Sequence, residues 1–247
     1  MTIGIGGKLG SNFFLEVARG NINNVTSGVI IGKNPDVGTE FEDVCDSGGI
    51  IQLPSAAENL EIVSDSANDT SAGTGMRTVL VRTLDTDFNQ EEQVVTMNGT
   101  TPVTLTGTHI RTRIILGITA GSNGTNVGEI TLSVTGGGTA LEVMLPGNGV
   151  SNSSHFTVPA DHTLFALSFN FSCPKNQDAL IRLVLRSGIP DAATLTIGEL
   201  DLYQSLEDLP VFAPLPIAEK TDIKLQAKSN NESASVTMIE EFLLVKD

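Results

Sequence analysis

The sequence predicts an all-β protein: a jelly-roll-like antiparallel β-sandwich with an extended N-terminal arm and a C-terminal β-hairpin. Three observations predict it. Apolar residues alternate with polar ones along most of the chain, the period of a half-buried strand. The apolar residues are mostly Val, Ile and Leu, supported by many Thr, which suits a pleated surface. Clusters of Gly, Asn, Asp and Ser ("AGTG", "TAGSNGTNVG", "VTGGG", "LPGNGVSNSS") punctuate the runs at roughly 10–15-residue spacing, as in a sandwich or jelly roll.

Residues 1–48 carry apolar pieces without a steady period, among them "FFLEV" and "SGVIIGK", and read as an arm that wraps its own sandwich or reaches a neighbour. Residues 49–210 read as the sandwich. Its strands begin with "NLEIVSD", "MRTVLVRTL" and "QEEQVVTM", followed by "HIRTRIILGIT", "EITLSV" and "LEVML". "HTLFALSFNFSC" (162–173) sets Phe165, Leu167, Phe169, Phe171 and Cys173 on one face, the expected core side. "ALIRLVLRS" (179–187) sets Ile181, Leu183 and Leu185 opposite Arg182 and Arg186, and alternation makes the first half of 189–209 a strand. Residues 211–247 read as a Pro-rich extended connector followed by a hairpin of "TDIKLQAK" and "ASVTMIEEFLLVK", packed on the sandwich.

At 247 residues and 40% apolar content the chain can bury a core without covalent staples. Its 29 acidic and 14 basic residues give a net charge of −15, which repels nucleic acid and anionic membranes. The acid is uneven: eight carboxylates and one base lie between Gly32 and Asp65, whereas 114–174 hold no Lys or Arg. Trp is absent and Tyr occurs once, which argues against a sugar-stacking groove. Cys45 and Cys173 are too few for a disulfide framework, and Cys173 reads as a buried free thiol. No apolar run reaches the ~18 residues of a membrane helix, and the opening residues do not read as a secretory signal.

Candidate chemistry thins out on inspection. "LDTDFNQEEQ" (84–93) crowds Asp85, Asp87, Asn89, Glu91 and Glu92 together. A calcium loop of the EF type starting at Asp85 needs Gly at position six and an acid at position twelve, where Gln90 and Thr96 stand. The stretch reads as a hairpin corner; a non-standard site shared with "SDSANDT" (64–70) is the alternative. His109, His155 and His162 have neither a triad context nor a third zinc ligand. The chain reads as a non-enzyme with no cofactor and no metal. Lys220, Lys224 and Lys228 share one face of a strand, either as a solvated edge or as a basic strip that docks on another copy.

"GKNPDVGTEFEDVCDSGG", the segment from "VSDSANDTSAGTGM" to "NGTTPVTL", "TAGSNGTNVGEITL" and "FTVPADHTLFALSF" resemble stretches of virion structural proteins of tailed bacteriophages, over about residues 32–186. The resemblance implies a β-rich particle protein assembled in the host cytoplasm, most simply a capsid decoration or cement protein. Its partners would then be the major capsid protein and other copies of itself, as a homotrimer, with no nucleic acid or membrane. A tail, collar or receptor-binding component is the alternative. The expected interface comprises the arm residues Phe13, Phe14, Leu15, Val17, Val29, Ile30 and Ile31 together with Lys220, Lys224 and Lys228.

Overall fold

The computed structural model describes residues 12–188, 192–203, 206–230 and 233–247, and of residues 203 and 206–213 the backbone only. A short helix, α1 (Phe13–Ala18), opens the described chain; the Asn12 side chain caps it by accepting from the Phe14 amide. Everything else regular is strand. β1 (Val25–Val37) and β2 (Glu42–Asp43) come first. β3 (Leu60–Ser64), β4 (Met76–Asp85), β5 (Gln90–Thr96), β6 (Val103–Thr104), β7 (His109–Ala120), β8 (Ile130–Val134) and β9 (Ala140–Met144) follow. The last group is β10 (Phe156–Thr157), β11 (His162–Ser172), β12 (Asp178–Ser187), β13 (Thr194–Tyr203), β14 (Leu206–Ile217), β15 (Thr221–Ser229) and β16 (Ala234–Lys246).

All of these ladders are antiparallel, and they form two sandwiches where the sequence predicted one. The first pairs a sheet of order β1-β16-β11-β14 with one of order β10-β15-β12-β13. Its core interleaves Ile30, Leu164, Val236, Met238 and Phe242 with Ile181, Leu183, Leu202, Ile223 and Leu225 from the facing sheet. The second pairs β6-β3-β8-β9 with β5-β4-β7 around Leu60, Ile62, Leu132, Met144, Val79, Val81 and Ile115.

The second sandwich is inserted inside one strand position of the first. Along one edge of β15, Gln226 and Ala227 pair with Asp43 and Glu42, while Asp222 and Ile223 pair with Thr157 and Phe156. The Val44 amide donates to Leu225 O between them, so β2 and β10 run as the two halves of a single strand. The chain leaves this strand after Val44 and returns at Ser154, whose amide donates to Val44 O; a Cys45–Ser153 bridge closes the neck.

Several expectations are corrected here. Residues 1–11 of the expected arm lie outside the described residues, and from Val25 onward the segment is no arm. β1 pairs with β16 from Val25↔Val245 to Val37↔Ala234 and puts Ile30 into the core. Gly28 and Gly32 make this closeness possible, since a Cβ would strike the Phe242 ring at Gly28 and the Val44 carbonyl at Gly32. β15 and β16 are not a hairpin, because they lie in opposite sheets. The Pro-rich connector is largely the edge strand β14, where Pro210, Pro214 and Pro216 are tolerated because an edge leaves one row of amides unpaired. In β11 the core face changes sides: a bulge between Ala166 and Ser168 puts Leu164 and Ala166 inward before it and Phe171 inward after it. The alternation in β12 holds, with Ile181, Leu183 and Leu185 buried. Cys45 and Cys173 are both buried free thiols.

Candidate functional site

The expected interface residues divide into exposed, buried and occupied groups. On α1, which packs against β1, Phe13, Phe14 and Leu15 are exposed and Val17 is buried. On β1 the pleat turns Ile30 into the core and leaves Val29 and Ile31 outward at 56% and 47% exposure. Ile31 stands directly opposite Ile239 of β16, itself exposed, and Val29 stands opposite Glu241. This makes an apolar surface on the outer face of an edge strand thirteen residues long. Ile239 was missed in the sequence because only the ladder register puts it beside Ile31.

The lysine strip does not form. β15 is an interior strand, flanked by β12 on one side and by β2 and β10 on the other. Lys224 Nζ donates to Asp43 Oδ2 at 2.8 Å and to Ile51 O. Lys228 Nζ lies 4.9 Å over the Phe41 ring. Lys220 sits in the turn before the strand at φ 59°, its amide donating to Val158 O. Lys224 and Lys228 fasten the 41–51 segment onto β15, and with Lys220 in the turn the three form no strip for docking.

Where the sandwiches meet, a polar network is buried. Arg111 of β7 makes a bidentate pair with Asp222 of β15, Nε to Oδ1 at 2.8 Å and Nη2 to Oδ2 at 2.9 Å, and Thr157 Oγ1 also donates to Asp222. Beside it, Ser153 Oγ is 2.6 Å from His155 Nδ1, and His155 Nε2 lies 2.9 Å from Thr112 O and 3.3 Å from Glu142 Oε1. The trio superficially matches nucleophile, base and acid. Its electrostatics do not suit that role. Burial pushes the His155 pKa down to about 4, so the imidazole is neutral near pH 7, and burial also holds the Glu142 carboxyl well above its usual range. A base so weakly proton-accepting is poorly matched to work near neutrality. With Nε2–H donating to Thr112 O, the ring ties the Ser153 hydroxyl to β7 across the junction.

The acidic corners are turns. Asp85 Oδ1 accepts from the Asp87 and Asn89 amides, and the Asn89 side chain adds a bond to Oδ2. In "SDSANDT", Asp69 is buried and accepts from Ser64 Oγ and from the amides of Met76, Val127 and Gly128. Among the described residues, no group of three or more His, Cys, Asp or Glu is arranged to hold a metal ion, and no helix is long and apolar enough to cross a membrane.

No protein-family model matches the chain, and no curated protein matches its sequence. Three solved structures give the measure of structural likeness. The infectious bursal disease virus Gt strain matches at 12% identity over 90% of this chain and 72% of that one, with a TM-score of 0.24. T=1 particles derived from infectious bursal virus match at 11% identity over 91% and 74%, with a TM-score of 0.21. A Bacillus thuringiensis Cry1Da tryptic core variant matches at 11% identity over 85% and 52%, with a TM-score of 0.18. TM-scores of this size do not define a shared fold.

Proposed function

We propose that the protein is a structural component of a tailed-phage virion, a decoration or cement protein that binds the outer head lattice in several copies, as trimers, and acts without catalysis. It would assemble onto the particle in the host cytoplasm with the major capsid protein and other copies of itself as partners. The observation that carries this reading is the set of exposed apolar residues on α1 (Phe13, Phe14 and Leu15) and on the outer face of β1 and β16 (Val29, Ile31 and Ile239), with β1 an edge strand among the described residues. An edge strand that carries exposed apolar residues favours pairing with another chain, and a contact of roughly 1,600 Å² in total is an ordinary specific interface. Repetition on a lattice then multiplies a modest contact into avidity.

The first sandwich supports the reading as well. With β2 and β10 counted as one position, its eight strands in chain order form sheets 1-8-3-6 and 2-7-4-5. We read this as a jelly roll, an architecture recurrent in viral capsid domains. The second reading, a tail, collar or receptor-binding component, is favoured by an open cleft of about 580 Å³ between the sandwiches.

The test is co-sedimentation of the purified protein with heads of the phage that encodes it, before and after expansion. Saturable binding to expanded heads, weakened by Ile31→Glu, is the expected result. Recovery on tails or on host cells, with no binding to either head form, would move the assignment to the second reading.

A further inference from the structure

The cleft between the sandwiches is lined by Asp222 and the end of β12 from the first, by Arg111 and the β4–β5 turn from the second, and by residues 53–57. Its volume of about 580 Å³ is within the range of small-ligand sites, which favour domain junctions. A second hollow of about 230 Å³ adjoins it, sharing Leu53, Arg186 and Asp222 and reaching Lys224. The charges along this surface are uneven in use. Arg111 is satisfied by Asp222, and Lys224 by Asp43. Arg186 is different. It is exposed, stands cross-strand from Asp222, and makes no hydrogen bond or ion pair among the described residues. Asp222 instead accepts from Arg111 at both oxygens and from Thr157 at Oδ1. Among the described residues, then, a guanidinium without a carboxylate partner lines a cleft in a protein of net charge −15.

The other walls offer hydroxyls and a ring. Ser55, Thr86 and Ser187 border the space, as does Phe88, whose ring has the Arg111 guanidinium 5.5 Å from its centroid. A planar cationic fork beside neutral hydroxyl groups suits a ligand that carries both an oxyanion and alcohols. We propose that this cleft binds an acidic saccharide, with Arg186 taking its carboxylate or sulfate and Ser55, Thr86 and Ser187 taking ring hydroxyls. The single Phe88 ring is a modest platform, so the charge contact dominates.

Titration calorimetry on the full-length protein tests this with four probes: trigalacturonate, a sulfated disaccharide, maltotriose and inorganic sulfate. Trigalacturonate or the sulfated sugar should bind measurably and the other two roughly tenfold more weakly or not at all, the better acidic sugar identifying which oxyanion is preferred. Arg186→Ala should weaken the acidic sugar by roughly tenfold or more, as loss of a charge-assisted contact implies. Arg186→Lys should retain part of it, and both variants should keep the parent melting temperature. Equal binding of maltotriose, inorganic sulfate binding as well as the sugars, no binding of either acidic sugar, or full affinity in Arg186→Ala would each overturn the proposal. None of those results touches the assembly role, which is read from head binding.

Discussion

Glu240 shows how much one side chain can set. It lies on the inward face of β16, between Ile30 of β1 and Phe169 of β11, with neither carboxyl oxygen bonded. Burial alone raises its pKa from 4.5 to about 8. Between those values the unfolded chain has released a proton that the folded one keeps, so the contribution is fully present below about 4.5 and is lost as pH rises toward about 8. Glu240→Gln is expected to raise the melting temperature at pH 8 by several degrees and to change it little at pH 4.5, as thermal melts at the two pH values would read. The placement was legible: Ala234, Val236, Met238, Phe242 and Leu244 alternate straight through it. Asp69 was not legible, because its partners Val127 and Gly128 are 58 and 59 residues away. Removing the carboxylate in Asp69→Ala orphans several donors and should cost roughly 3 kcal/mol in denaturant unfolding.

Among elements, the strands were readable and their neighbours were not. A period of two gives a strand its faces, but pairing depends on chain segments far away. β1 read as an arm because Gly28, Gly32 and the exposed Val29 and Ile31 blur its alternation, and those same residues are what its edge position requires. In β11 one bulge exchanged the faces, which no count along the sequence could reveal. Residues 1–30 are thus partly structural. Deleting them removes the Val25–Ile30 half of the β1–β16 ladder and the buried Val17, and should abolish the cooperative melt. An unchanged melt would return β1 to the role of an arm. Gly32→Val should also destabilise, by about 1–3 kcal/mol, because β1 cannot retreat from Val44 without leaving β16.

At the scale of the molecule, an insertion within one strand position makes the two sandwiches depend on a short neck and a buried seam. The Arg111–Asp222 pair joins residues 111 positions apart. Asp222→Ala leaves Arg111 buried without its carboxylate and should cost ~3–5 kcal/mol. Calorimetry of that variant is expected to resolve separate transitions for the two sandwiches where the parent shows one. The sequence spread a single sandwich over 49–210 because strand spacing is the same in both halves; only the pairing of β15 with β2 and β10 reveals the division. Of the residues expected at an interface, Phe13, Phe14, Leu15, Val29 and Ile31 are indeed exposed, whereas the evenly spaced lysines misled, since Lys224 and Lys228 are engaged by Asp43 and Phe41. Hydrogen–deuterium exchange of the protein free and bound to expanded heads tests that surface most directly. Assembly through the open edge predicts new protection concentrated in α1 and in β1 around Val29 and Ile31. Protection that leaves β1 unchanged and falls elsewhere would contradict it.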